Sequence, residues 1–502
     1  MEARVGYCSR FTSFFPRSTA LILLVLLLCG CGSSGPPQAA PPPPPNSPPP
    51  LLIATASLPN GEVGVFYQAT LQATGGAPPY RWSIASGVLP GQLTFDITGV
   101  ISGTPSGAGT FQVTFRVEDS ATSAATSLAT YSMIVVTPLP LPPLGRGIWI
   151  TPDELRQLPM SGPAWENMKK EADGSCGTPK LSNQDDDTNV CILAKGLVYA
   201  RTGNFTYRDD VTKAITKIVN SDTYKGRALA LGRELAAYVI AADLIDLPNN
   251  DPALDQLFRD KLRELLITPT KDGPDNLLLC HEERPNNWGT MCGGSRAAVA
   301  AYLGEKEELG RVAQVFKGFL GDSSSYAGFH FGSDDQNARS WSPLPPDQLV
   351  PINPKNSSIG GQSVDGAVID DISRGGPFQW PPLQTNYPWE GLAGAIVQAE
   401  ILCRNGYPDV YGWGDGALRR SYEYLRSLDS QFGFWFDSGT VSGDDNWQPW
   451  IANRRYAIHL PTVTPTRPGK QMAWSDWTHG AAPLPASCAA PPASALTSSS
   501  EK

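Results

Sequence analysis

Apolar and polar positions follow two different rhythms along this chain. Between residues 51 and 138, β-branched and aromatic residues come in short runs, VFYQATLQATG, PYRWSIAS, LTFDITGVISGTP, TFQVTFRVEDS and ATYSMIVV, each bounded by Gly, Pro or Asp. Runs of that length between turn residues predict the strands of an all-β sandwich. A proline-rich stretch over 137–143 follows, and beyond it the apolar spacing lengthens to about 3.6 residues, the helical period. Helices are predicted over 189–201, closed by Gly203; over 208–219, with Val211, Ile215, Ile218 and Val219 on one side; and over 228–247, where nearly every residue is apolar. Asp251 and Pro252 supply an N-cap and a first-turn proline ahead of Leu254, Leu257, Phe258, Leu262 and Leu265. Two further stretches, 295–303 and 305–320, close on Gly304 and Gly321. Helix pairs at this spacing predict an array of antiparallel hairpins. From 322 to 384 the pattern lapses into a loop rich in Gly, Ser, Pro and Asp, of a length that inside a domain is functional or disordered. Periodicity returns after Tyr387 with Leu392, Ile396, Ala399 and Cys403, ahead of Asn405-Gly406 for a left-handed cap, and again over 417–428.

The two ends change the picture. Arg4, Arg10 and Arg17 precede an apolar run over 20–28 that is too short to span a bilayer, so residues 1–31 read as an export signal. Its last four residues, Leu28-Cys29-Gly30-Cys31, resemble a bacterial lipobox. The resemblance implies lipidation at Cys31, a membrane anchor and, with Gly32 next, an outer-membrane lipoprotein. An ordinary secretory signal is the alternative, with export but no lipid. Residues 32–50 are a proline-rich tether of polyproline II character, and 486–502 are small and polar, as a disordered tail is. The domain boundaries are then 51–138 for the β sandwich, 139–147 for a linker and 148–485 for the helical unit.

The net charge of -9, with no basic cluster outside the extreme N-terminus, argues against nucleic acid as a partner. Export permits disulfides, and close spacing suggests Cys176 with Cys191 and Cys280 with Cys292, although spacing alone does not fix connectivity. Neither a CxxC nor an HxxxH step occurs, so no metal is expected, and no motif calls for a cofactor. Asp185-Asp186-Asp187 and Asp444-Asp445 lack the glycine and glutamate of a calcium loop and read as solvated surface. The stretch 365–406 carries the densest chemistry: an acid-x-x-Arg step from Asp371 to Arg374, then Asn386-Tyr387 where the chain enters a helix. A phenol held near a guanidinium is a candidate proton-transfer group. The competing reading makes Tyr387 a half-buried packing residue.

Two resemblances follow from longer stretches. The G-x-x-Y, GG-x-PPY-x-W and G-x-I-x-GTP steps within 58–120 resemble the immunoglobulin-like domains of bacterial surface proteins, which act as spacers or weak binding modules. The helical unit, from about Gly147 to Pro461, resembles the alginate lyase family of the chondroitin AC and alginate lyase superfamily. The matching stretches are AKGLVYARTGNFTYRDDVTKAITKIV, LALGRELAAYVIAADLI, RPNNWGTMCGGSRAAVAAYLGE, DGAVIDDISRGG and TNYPWEGLAGAIVQAEILCRNGY. The fold class implied is multidomain: an all-β immunoglobulin-like sandwich, then an all-α (α/α) toroid of helical hairpins. The activity implied is β-elimination on an acidic, uronic-acid-containing polysaccharide, which needs donors on the sugar carboxylate, a base, and an acid for the leaving oxygen. By motif, Tyr387 matches the catalytic tyrosine, Arg374 the arginine of the acid-x-x-Arg step, and Asn287 the neutralising asparagine. Trp288 stands where the alginate lyases place a histidine. Chondroitin lyases carry Asn-Trp with the histidine farther along, which makes His330 the candidate for that role. Trp288, Trp389 and Arg284 are candidate sugar contacts, as is Trp341, with buried aromatic packing the competing reading for each tryptophan. Two alternatives stand beside the lyase: a non-catalytic carbohydrate-binding lipoprotein, and an α/α glycoside hydrolase using Asp370, Asp371 or Glu390.

Overall fold

The computed structural model describes residues 49–137, 145–271, 275–331, 335–433, 446–465 and 469–480. The expected signal with Cys31, most of the tether and of the linker, Asp444-Asp445 and the tail from 486 lie outside these residues.

The strands expected from the first rhythm form β1 (Leu52–Ile53), β2 (Gly61–Glu62), β3 (Tyr67–Thr70), β4 (Ala73–Thr74), β5 (Arg81–Gly87), β6 (Leu93–Phe95), β7 (Val100–Gly103), β8 (Gly109–Glu118) and β9 (Thr126–Val136). One sheet runs β2-β9-β8-β5, the other β3-β7-β6, and β1 pairs with β4. Within the sandwich only β2 and β9 run parallel. The period-two pattern explains the packing. In β8, Val113, Phe115 and Val117 are fully buried while Thr114 and Arg116 turn away, and in β9 Tyr131 and Met133 do the same opposite them. These residues meet Tyr67, Trp82 and Ile101 in one core.

The rest of the described chain is helix-rich. Among its elements are α1 (Thr188–Thr202), α2 (Phe205–Val219), α3 (Ala228–Leu244), α4 (Pro252–Ile267), α5 (Leu277–Glu283), α6 (Asn287–Leu303), α7 (Lys306–Phe319), α8 (Tyr387–Arg404) and α9 (Trp413–Phe432), the last broken at Gly414–Gly416. Four of them, α1, α3, α6 and α8, are buried on nearly every side, as their almost unbroken apolar composition requires. The helices that follow them, α2, α4, α7 and α9, bury one face only.

The four inner helices run parallel. Asn189 near the start of α1 donates to the Arg233 carbonyl of α3 at 3.4 Å, and farther along Gly196 lies against Ala241. Ser295 of α6 donates to the Gly232 carbonyl at 2.8 Å and accepts from the Ala236 amide at 3.0 Å. Gly394 of α8 packs where a Cβ would come within 2.3 Å of the Thr290 carbonyl carbon of α6. All four N-termini therefore gather at one end.

Two elements differ from expectation. Helix α6 begins at Asn287, eight residues before the expected start, because Asn286 caps it with its side chain on the Trp288 amide (3.1 Å). The Gly293-Gly294 step lies inside the helix, where Gln398 presses on the backbone; a Cβ on Gly293 would lie 2.5 Å from its amide. The expected loop over 322–384 is an ordered run of short pieces, among them a hairpin of Ser358–Ile359 with Gln362–Ser363 and a helical turn over Ile369–Ile372. Buried Asn353 holds that run together by donating to the carbonyls of Trp341 (2.7 Å) and Val364 (3.1 Å).

A buried charge cluster closes the opposite end of α8. Glu400, with no exposed surface, accepts from Arg404 (2.7 Å), Arg455 (2.9 Å) and the Tyr411 hydroxyl, and lies 3.2 Å from His479. Arg404 also reaches Glu154 at 3.0 Å. One helix thus joins the beginning and the end of the helical region. Arg201 of α1 makes a buried ion pair with Glu62 of β2.

Candidate active site

Residues of the candidate site collect where the inner helices begin. Asn286 and Asn287 lie at the start of α6, Asn386, Tyr387 and Glu390 at the start of α8, and Arg233 in the second turn of α3. The turn over Ile369–Ile372 brings Asp370 and Asp371 between them, and Arg374 follows in the next turn.

Glu390 is the hub. One of its oxygens accepts from Asn287 Nδ2 (2.7 Å) and Arg233 Nη2 (2.8 Å), the other from Asn386 Nδ2 (3.0 Å). Asp371 has no exposed surface; one oxygen accepts from the Asn287 amide at 3.0 Å, and the other has no hydrogen-bond partner among the described residues. Burial, with Asp370 adding to it, pushes the Asp371 carboxyl well above the usual carboxylate range, and the Asn287 N–H does not offset this. Asp370 accepts from Asn286 Nδ2 at 2.9 Å and lies 3.8 Å from Arg374 Nε. The Arg374 guanidinium stands 5.1 Å from the centre of the half-buried Tyr387 ring. Deeper in α3, burial and the charge of Asp186 push Glu234 up to about 9.

The sequence candidates are distributed as follows. Tyr387, Arg374 and Asn287 come together through Asp370, Asp371 and Glu390. Asn287 is 1 % exposed, with its amide nitrogen committed to Glu390, so in this structure it positions the carboxylate hub and presents no donor to a sugar. His330 does not join the group. Its backbone donates to the Glu283 carbonyl at 2.7 Å, its ring is 77 % exposed and lies 3.9 Å from the Glu283 carboxylate, and among the described residues no bond links it to Tyr387, Arg374 or Asn287. Trp288 is partly exposed, with the Arg284 guanidinium 4.6 Å and that of Arg227 5.9 Å from its ring. Arg284 is also held by Asp275 at 2.6 Å.

Three expectations are corrected. Trp389 is not a sugar contact: it has no exposed surface and packs on Tyr422, because two steps along a helix turn a side chain through roughly 200°, away from the side that Tyr387 faces. Trp341 is likewise buried and donates to the Gly376 carbonyl at 2.9 Å. Cys176 and Cys191 are disulfide-bonded, whereas Cys280 and Cys292 are free thiols with sulfurs 2.8 Å apart, beyond the roughly 2.05 Å of a bond. Sequence reasoning missed Arg233 and Asn286, gave Asn386 no role of its own, and weighed Glu390 only as a hydrolase carboxylate. One signal was present: Arg233-Glu234 is a charged pair inside an otherwise apolar helix, an arrangement that must be paired or functional. Among the described residues no group of three or more His, Cys, Asp or Glu is arranged to hold a metal ion.

Comparison with known proteins bears on the β sandwich. The family described as "Putative Ig domain" matches residues 49–136, so the chain carries an immunoglobulin-like domain ahead of its helix-rich region. No curated protein matches. Among solved structures, a crystal structure of a putative alpha-galactosidase/melibiase from Bacteroides fragilis NCTC 9343 shares 20 % identity over 21 % of this chain and 23 % of its own, at a TM-score of 0.16. A second, of a putative alpha-galactosidase from the same organism, shares 22 % identity over 24 % of each chain, also at 0.16. The chain thus spans about a quarter of either structure, and a likeness at that TM-score carries no argument about activity.

Proposed function

We propose that the helix-rich region is an (α/α) toroid of the alginate lyase kind and that it cleaves a uronic-acid-containing polysaccharide by β-elimination. The observation that carries the reading is the half-buried Tyr387 ring beneath the exposed Arg374, at the end where four inner helices begin. Groups open to solvent there are a phenol, arginines and an indole, while the carboxylates are buried or tied to donors. Aligned helix N-termini add positive potential, which favours an anionic polymer. A glycoside hydrolase fits less well. It needs two carboxyls reaching the scissile bond, whereas Asp370 and Asp371 are 7 % and 0 % exposed and Glu390 is held by three donors.

In the proposed reaction Arg374 pairs with the sugar carboxylate, which makes the C5 proton removable. The Tyr387 oxygen takes that proton, a C4–C5 double bond forms, the C4–O bond breaks, and a proton passes to the departing oxygen. Asn287, Asn386 and Arg233 act one step back by holding Glu390. Incubating the full chain with a panel of uronate polymers tests the proposal: an unsaturated uronate absorbing in the ultraviolet is expected, and new reducing ends without that absorbance would replace the lyase by a hydrolase. Two observations favour the second reading, a sugar-binding protein without catalysis: the Asn287 side-chain amide is committed and His330 stands apart. Retention on a polymer gel with neither product would support it.

For the chain as a whole we propose an exported lipoprotein anchored through Cys31, with the immunoglobulin-like domain as spacer. Membrane fractionation of a Cys31→Ser variant checks this; a variant that pellets with membranes as the wild type does removes the anchor from the reading.

A further inference from the structure

A cleft of about 490 Å³ opens at the end where the inner helices begin, within the roughly 300–1,000 Å³ of small-ligand sites. Residues 179–183, ahead of α1, and 221–225, ahead of α3, line it together with the last turns of α2 and α4. Its floor is apolar, since Leu181, Ile218, Tyr224 and Leu265 are all buried. The Tyr224 hydroxyl lies 2.7 Å from the Arg227 carbonyl and 3.2 Å from that of Leu181, which pins one wall to the other. The rim carries Lys180, Lys217 and Lys225 against one lining carboxylate, Asp222. Lys180 is paired with Asp186 at 3.4 Å. Lys217 donates to the Thr178 hydroxyl at 3.2 Å, and neither it nor Lys225 has a carboxylate partner among the described residues. Two such ammonium groups on a chain of net charge -9 make a local positive site. Cations also lead from the cleft toward the candidate active site: two residues beyond Lys225, the Arg227 guanidinium stands 5.9 Å from the ring of Trp288, the neighbour of Asn287.

We propose that this cleft is a distal subsite for an acidic polysaccharide, holding a carboxylate-bearing sugar farther along the polymer that is cut at Tyr387. The proposal rests on the reading of the helix-rich region as acting on a uronate polymer. The chemistry of the lining suits such a sugar. An ammonium on a flexible stem meets a carboxylate without demanding a fixed geometry, Ser182, Asn183 and Thr223 offer partners for sugar hydroxyls, and the apolar floor accepts the C–H face of a ring. A sugar bound there is remote from the bond that breaks, so its contacts are the same in the ground and transition states. They lower KM and leave kcat alone. They act only on substrates long enough to occupy both places.

The test compares the full chain with two double variants. Lys217→Ala/Lys225→Ala strips the rim of its unpaired charge, and Lys213→Ala/Lys306→Ala removes the same charge from exposed positions outside the cleft, the first of them a turn away on α2. Each protein is assayed on a long uronate polymer and on a uronate trimer, and by its retardation in a gel containing the polymer. For the cleft variant, KM on the polymer is expected to rise about threefold to tenfold with kcat held, the scale of two exposed ion pairs, with weaker retardation and trimer kinetics like those of the wild type. The control variant is expected to match the wild type throughout. Equal shifts in both variants would reduce the effect to overall charge and overturn the subsite. An unshifted cleft variant, on a polymer that the wild type cuts, removes the subsite and leaves the lyase reading standing. If no polymer is cut, retardation decides: a wild type retarded more than the cleft variant keeps the subsite and drops the lyase, and a wild type that no polymer retards overturns both. Lys217 also lies in the last turn of α2, where a cation favours the helix dipole. A cleft variant with a lower thermal midpoint but unchanged KM and retardation would assign the lysines to that helix end and overturn the proposal.

Discussion

Tyr387 carries the proposed chemistry, and a single oxygen separates its two roles. Tyr387→Phe keeps the ring under Arg374 and removes only the hydroxyl, so the thermal midpoint is expected to hold. Turnover should fall by about two orders of magnitude or more, the usual scale for a lost acid-base group. A Tyr387→Phe variant as fast as the wild type would return the residue to a packing role. At this scale the sequence was legible where chemistry and local spacing coincide: the acid-x-x-Arg step and Asn386-Tyr387 pointed to residues that do meet. It was not legible where partners are distant. Glu390 is 157 residues from Arg233 and 103 from Asn287, and no local pattern joins them. Because Arg233 and Glu390 are both largely buried, each needs the other, and removing one charge leaves the other stranded at a cost of several kcal/mol.

Among elements, periodicity located the inner helices and missed only the first two turns of α6. Helices α2, α4 and α7 have one apolar side and were read nearly to their ends, since an exposed face makes the period visible. The inner helices have no polar face, so their period is faint, and the start of α6 was hidden by glycines that serve close helix contact. That hidden turn is the part of α6 that enters the site. The 322–384 run was misread for a related reason: short pieces pinned by buried Asn353 carry no period of their own. The parallel order of α1, α3, α6 and α8 follows only from which residues touch. That order gives the site its common end.

Across the whole molecule, the cluster around Glu400 ties together segments that are far apart in sequence, and it makes stability depend on pH. Burial holds His479 down at about 4, against 6.5 for a free histidine. Below 6.5 the unfolded chain takes up a proton that the folded chain refuses. The histidine's contribution is therefore complete above 6.5 and is lost as pH falls toward 4. Glu400, held well below the usual carboxylate range despite its burial by Arg455 and Arg404, changes in the same direction at lower pH. Buried acids such as Asp371 and Glu234 act oppositely, so the test is a difference: the midpoint of the wild type relative to a His479→Gln variant should drop between pH 7 and 4. A difference that stays constant over that range would remove His479 from the account.

The position of that cluster has a consequence for how the chain is made. Glu400 waits for Arg455 and His479, and Trp474, by its bond to the Val190 carbonyl at 2.9 Å, completes the first inner helix from 284 residues away. A chain emerging from its N-terminus forms its β sandwich early, since the strands pair among near neighbours. The helical core lacks its closing piece until residue 479 has emerged. Until Arg455 has emerged the acid at its centre has only Arg404 and Tyr411 beside it, and the chain has reason to remain open. For the exported lipoprotein proposed above, a core that closes only once His479 has arrived keeps the chain threadable while the helical region is being made.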